Sequence, residues 1–170
     1  MKDSYASLDL SSRGFTQLFE AEWIWRDPLQ PTTCKAGASL AWARIGSGAE
    51  LIEWEDAWSG DATNRSEPRV TRQFPDSLLS SPDNLFFAGR LDGKVAAGGI
   101  ANRSPGVVGL SNTFSAADFA EETWAALVSC ASAAFPNTPL VGYERDAELQ
   151  LATSAGFAPI GPLRVWCRSE

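Results

Sequence analysis

The sequence contains no histidine. That removes every Ser–His and Cys–His catalytic pair and most zinc sites, so a general base must be a carboxylate, Tyr, Lys, Cys or a water. Cysteine is scarce. Cys34, Cys130 and Cys167 are widely spaced and form no Cys-x-x-Cys. A disulfide framework or a metal cluster needs paired spacing, so no metal site is expected and the thiols read as reduced. Positive charge is short too: 14 Lys and Arg stand against 21 Asp and Glu, a net charge of −7. A nucleic-acid binder needs a basic surface, and no basic run is present. No stretch approaches the roughly 18 continuous apolar residues of a membrane span. The opening MKDSYASLDLSSRG has no apolar run of the kind a secretory signal carries. The expectation is a cytoplasmic protein that binds neither membrane nor nucleic acid.

What remains is a globular composition, with 44 % hydrophobic and 21 % charged residues in 170. That length suits one domain with a substantial core. Residues 1–14 are polar and Ser-rich and read as a flexible arm, leaving 15–170 as a single domain. Seven tryptophans are spread along the chain. Their area suits core packing and a homodimer contact.

The centre of the chain is Leu85 to Phe114, which reads as three antiparallel strands. Asp92-Gly93 and Ser104-Pro105-Gly106 supply the turns. The middle strand holds Ala96, Ala97, Gly98 and Gly99 in a row, a sign of close approach by a helix or a ligand.

Before this meander, Phe15–Trp25 fits helix or strand, and its aromatic and β-branched residues favour strand. Arg26–Gly37 is a Pro-containing loop and Ala38–Ile45 alternates as a strand. Ser47 with Glu50 makes a capping box for a helix that aligns Leu51, Trp54 and Trp58. Gly60–Thr71 is a polar loop, and Pro75 opens a short helix over Asp76–Leu79.

After the meander, Ser115 and Asp118 suggest a capped helix over 117–134. Its apolar stripe is Ala120, Trp124, Leu127, Val128, Ala131 and Phe135. Leu140–Glu144 is a strand that can lie parallel to 107–113 after the helical crossover. A helix over 146–155 ends in Gly156-Phe157, Pro159 and Pro162 bracket a turn, and Leu163–Cys167 is the last strand. The fold class is therefore α/β in the α+β sense. Its central sheet is mixed and mostly antiparallel, with helices on both faces.

This order of elements resembles the GCN5-related N-acetyltransferases (GNAT). The similarity rests on Ala38–Cys167, on the meander FFAGRLDGKVAAGGI, and on a final helix with Leu151 before Gly156-Phe157. The resemblance implies an acetyl-coenzyme A cleft where 107–114 and 140–144 splay. Its cofactor-binding residues would be Ser111, Asn112, Thr113 and Phe114. An unpaired strand edge offers N–H and C=O groups to an amide-bearing ligand.

Two features depart from the family pattern. The family's glycine-rich basic loop is replaced by SAADFAEETW, where Asp118, Glu121 and Glu122 repel phosphate. The tyrosine common in the last helix is replaced by Ala152. Arg145 and Glu148 also replace the family's more usual Asn and Ala. Tyr143 and Glu144 are then the catalytic candidates, on opposite faces of one strand. Each has a plain alternative: Tyr143 packed with its hydroxyl bonded, Glu144 paired with Arg145 or solvated. Ser111 lacks an activating base, and Ser111-Asn112 also suits satisfaction of backbone at a strand end.

Two functions follow. One is acyl transfer from acetyl-coenzyme A to a small-molecule or peptide amine, favoured by the acidic net charge. The other is a non-catalytic binding module on the same fold, which the missing loop and tyrosine favour.

Overall fold

The computed structural model describes residues 1–31, 39–60 and 72–168. Among these residues, eight strands form one sheet: β1 (Lys2–Asp3), β2 (Phe15–Arg26), β3 (Ala41–Arg44), β4 (Asn84–Leu91), β5 (Lys94–Ser104), β6 (Val107–Ser115), β7 (Leu140–Glu144) and β8 (Ala158–Arg168). Their spatial order is β1-β8-β2-β7-β6-β5-β4-β3. Every pairing is antiparallel except β6 with β7. Among the described residues three α-helices pack on it: α1 (Gly48–Trp58), α2 (Ala120–Ala134) and α3 (Asp146–Ser154). No helix among the described residues is long and apolar enough to cross a membrane.

The meander forms as expected, because Asp92, Gly93 and Gly106 adopt the positive φ that its tight turns require. The small residues of β5 admit helices on both faces. A Cβ on Gly98 would run into the Trp54 indole of α1, and one on Gly99 would meet Leu127 of α2 at 2.7 Å. Trp54 then anchors α1 by donating its indole N–H to Phe87 O at 2.9 Å. The α1 start is the expected capping box: Ser47 Oγ accepts from Glu50 N, and the Glu50 carboxylate accepts from Ser47 N.

Two cores result. Under α1, Trp54 and Leu51 meet Phe86, Ala88 and Ile100. Under α2 and α3, Trp124, Leu127 and Val128 meet Ile24, Leu110, Leu140 and Phe157. Tryptophans 54, 124 and 166 are buried, and Trp23, Trp25, Trp42 and Trp58 are half-buried.

Several expectations change. Residues 1–14 do not hang free. Lys2 and Asp3 pair with Val165 and Arg164, and Trp166 N donates to Met1 O at 2.8 Å. Pro159 and Pro162 do not bracket a turn; both lie within β8, opposite Ile24 and Glu22. A register shift between Trp23 and Ile24 accommodates them, since a bulge tolerates residues that cannot serve a regular ladder.

Helix α2 starts later than its Ser115–Asp118 pattern suggests. Ser115 is still in β6, paired with Ala97, so it is not available as a cap. A single 3-10 turn at Ala117–Phe119 intervenes, and no side chain caps α2. Residues 61–71 of the polar loop, together with Cys34 and Ala38, lie outside the described residues. Of the other thiols, Cys130 is half-buried and Cys167 exposed.

Candidate functional site

The sheet is split in the middle. β6 and β7 pair only at Val108–Leu140 and Gly109–Val141. Beyond those pairs β7 follows β2 as far as Glu144, while β6 follows β5 as far as Ser115. Among the described residues, no strand pairs with the β7-facing edge of β6 from Leu110 onward. A bulge sharpens the divergence. Gly98 pairs with Phe114 and Ile100 with Ser111, so Asn112 and Thr113 together face one residue of β5. Asn112 takes φ +52°, a left-handed geometry that asparagine accepts more readily than most residues.

The end of this split opens into a cavity of about 190 Å³. Thr113, Phe114 and Ser115 of β6, Ala120, Thr123 and Trp124 of α2, and Glu148 of α3 line it. Thr123 is only 1 % exposed, yet its hydroxyl has no hydrogen-bond partner among the described residues. The hydroxyl of Thr113 is buried and unpartnered in the same way. Polar groups in protein interiors are normally bonded, so two orphan hydroxyls on residues that line one cavity are unusual, and both oxygen atoms are themselves sealed from solvent. The Trp124 indole N–H donates to Glu148 Oε2 at 3.0 Å.

Of the residues singled out in the sequence, Thr113 and Phe114 border the cavity. Ser111 is exposed and paired within the sheet, and Asn112 forms the bulge. Tyr143 and Glu144 part company as the strand alternation requires. Tyr143 shares the Trp23 side of the sheet, stacked with Phe19 and edge-on to Trp23, with the Lys2 ammonium 4.3 Å from its ring centre.

Glu144 shares the opposite face with Gly142 and Ile24, the side that α2 and α3 cover. It is not paired with Arg145. That guanidinium lies 4.9 Å from the Phe19 ring and 3.8 Å from the Asp146 carboxylate. Burial, with a smaller contribution from the Glu148 charge, pushes the Glu144 carboxyl up to about 7. Glu22 stands directly across from it on β2.

Some of the site is not legible in sequence. Thr123 and Trp124 look like ordinary positions on an apolar helical stripe. Glu148 stands out only as a departure from the family's usual small residue. The acidic start of α2 also makes a long-range contact that the sequence does not show. Glu122 does not serve its own helix end; it accepts from Ser39 N at 3.1 Å and Leu40 N at 2.8 Å, tying α2 to the approach of β3. Ala152, where the family often has tyrosine, is fully buried in the core.

No family model and no curated protein matches the sequence. Solved structures match the fold. A GCN5-related N-acetyltransferase from Kribbella flavida superposes with a TM-score of 0.64 at 18 % identity, over 95 % of this chain and 62 % of that one. Another from Sphaerobacter thermophilus gives 0.65 at 12 % identity, over 94 % and 55 %. A conserved protein of unknown function from Staphylococcus epidermidis ATCC 12228 gives 0.69 at 9 % identity, over 95 % and 66 %. The chain thus spans just under two thirds of the length of the Staphylococcus and Kribbella proteins. The architecture is a mixed sheet split between β6 and β7. The chain has the GNAT fold.

Proposed function

We propose that the protein transfers an acyl group from an acyl-coenzyme A thioester to an amine. The observation that carries this reading is the split between β6 and β7, with an unpaired β6 edge opening onto a cavity. An extended amide-bearing arm can add to such an edge as a strand would. The bulge at Asn112–Thr113 turns backbone away from the regular ladder, and an N–H freed there would polarise the thioester carbonyl. The amine nitrogen attacks that carbon, the C–S bond breaks, and the thiolate leaves. Glu144 takes the proton released by the amine. Its carboxyl, pushed up to about 7, suits a base working near neutral pH. Tyr143 faces away from this cleft and is assigned no part in the step.

A second reading has its own support. The first residues of α2 and the 3-10 turn before it carry Asp118, Glu121 and Glu122, with no glycine or basic side chain to hold a diphosphate. Glu148 adds a carboxylate at the cavity mouth. A binding module that has lost acyl-coenzyme A fits this charge.

Calorimetric titration with acetyl-coenzyme A separates the two. Saturable heat, together with turnover that rises with pH through neutrality and is lost in Glu144→Gln, supports acyl transfer. Absence of heat up to millimolar ligand overturns it.

A further inference from the structure

We infer that the acyl donor taken by the split is an uncharged, amide-bearing thioester arm without a nucleotide diphosphate. The inference rests on the acyl-transfer reading of the split and narrows its donor.

The free edge of β6 sets where such an arm lies. Among the described residues it covers 110–115, about 20 Å of extended chain. Backbone N–H and C=O groups on a strand edge pair with ligand amides and ask for no charge. At one end β7 closes the split by pairing at Val108 and Gly109. At the other end lies the cavity, and the chain passes at once into the 3-10 turn Ala117–Phe119 and then α2. An arm longer than the edge therefore leaves past the start of α2.

A helix start ordinarily attracts an anion, through its free N–H groups and the positive end of its dipole. This one does not fit a diphosphate. Asp118 lies in the 3-10 turn, Glu121 and Glu122 lie in the first turn of α2, and Glu148 lines the cavity. Residues 115–124 include no basic side chain. Nearby backbone donors are taken as well. Ser39 N and Leu40 N are consecutive N–H groups of the kind that cradle a phosphate oxygen, and both donate to Glu122, at 3.1 and 2.8 Å. A diphosphate would bring further negative charge into this set, and each close like-charge contact is unfavourable. A neutral arm meets no such opposition. The edge thus favours the amides of a donor, while the start of α2 rejects an anionic tail.

The transfer itself is the same with a shorter donor. The C–N bond forms, the C–S bond breaks, the amine proton goes to Glu144, and the arm leaves as its thiolate.

The test titrates the full chain calorimetrically with S-acetylpantetheine and with acetyl-coenzyme A, at low and at high ionic strength. The two share the thioester and the amides of the arm and differ in the nucleotide diphosphate. S-acetylpantetheine should bind saturably and at least as tightly as acetyl-coenzyme A. Added salt should strengthen acetyl-coenzyme A several-fold by screening the repulsion and leave S-acetylpantetheine unchanged. Asp118 is exposed and caps no helix. Asp118→Lys should therefore keep the fold and tighten acetyl-coenzyme A alone, again several-fold.

Tighter binding of acetyl-coenzyme A than of S-acetylpantetheine to the wild type overturns the inference and leaves transfer from coenzyme A standing. So does acetyl-coenzyme A affinity that falls with salt, the mark of a cationic grip. Saturable heat and turnover with S-acetylpantetheine alone support the inference and remove coenzyme A as the donor. No heat from either thioester overturns the inference together with the acyl-transfer reading.

Discussion

The indole N–H of Trp124 and the carboxylate of Glu148 meet at 3.0 Å across the α2–α3 gap. Trp124 is buried among the core residues beneath both helices, while Glu148 lies in the first turn of α3 and reaches the cavity mouth. One bond therefore couples core packing to the carboxylate that lines the cavity. Truncation to Glu148→Ala leaves the indole donor without its acceptor. The expected loss is about 1–3 kcal/mol of unfolding free energy. Glu148→Gln should lose clearly less, because a side-chain amide oxygen still accepts. Urea unfolding of the two variants distinguishes a lost hydrogen bond from a lost charge.

Glu144 makes stability pH-dependent. The charged groups around it are Glu148 from α3 and Glu22 from β2, with the neighbouring Arg145 turned onto Phe19. Its carboxyl is raised from 4.5 to about 7 in the folded protein. Between those values the folded state holds more protons than the unfolded state, so this group's contribution to stability falls as pH rises through that window. Solvent at its exposed part screens the effect to about 1–2 kcal/mol. Unfolding midpoints measured from pH 4.5 to 8 should decline for wild type, and Glu144→Gln should remove this part of the decline.

Thr123→Val should stabilise the ligand-free protein. The substitution removes a buried hydroxyl with no partner and keeps the β-branched shape. A gain of about 1 kcal/mol is expected, worth about 2–4 °C in melting temperature for a chain of this size. Differential scanning calorimetry reads it directly. A lower melting temperature would mean that the hydroxyl is satisfied in solution by a trapped water.

Arg26 is 2 % exposed and makes no ion pair with a carboxylate among the described residues. Its guanidinium donates to backbone carbonyls: Nε to Ala155 at the end of α3, and Nη2 to Gln30 and Pro31. It fastens the end of α3 to the segment after β2. Arg26→Met should cost about 2–4 kcal/mol, because three part-buried backbone carbonyls lose a charged donor at once. Amide hydrogen exchange should rise first at the C-terminal end of α3.

Gly98→Ala should be costly in a different way. Its Cβ would overlap the Trp54 indole and the Phe114 ring, which pack edge-on to each other over this point of β5. Overpacking of this kind costs about 1–3 kcal/mol, and more where a ring anchored by a hydrogen bond must move. Near-ultraviolet circular dichroism should show the altered tryptophan environment even where the chain still folds.

Much of the fold was determined by short-range sequence alone. Alternation and tight-turn chemistry set β4, β5 and β6, because a two-residue turn with a glycine at positive φ admits few registers. Ser47 and Glu50 set the start of α1 through a bond between neighbours in the chain. The run Ala96–Gly99 already marked a close approach by a helix or a ligand, because a residue without a large side chain leaves room for a ring; Trp54 and Leu127 fill that room.

The site was decided by tertiary structure. Lys2 and Asp3 gained a place only because β8 offered an edge. Glu144 lost its expected partner when Arg145 turned to Phe19, and burial then shifted its proton affinity. Thr113, Thr123 and Glu148 are far apart in sequence, and each is ordinary in its local context. Their convergence depends on where two strands stop pairing and two helices cross, which are long-range contacts that no local pattern encodes.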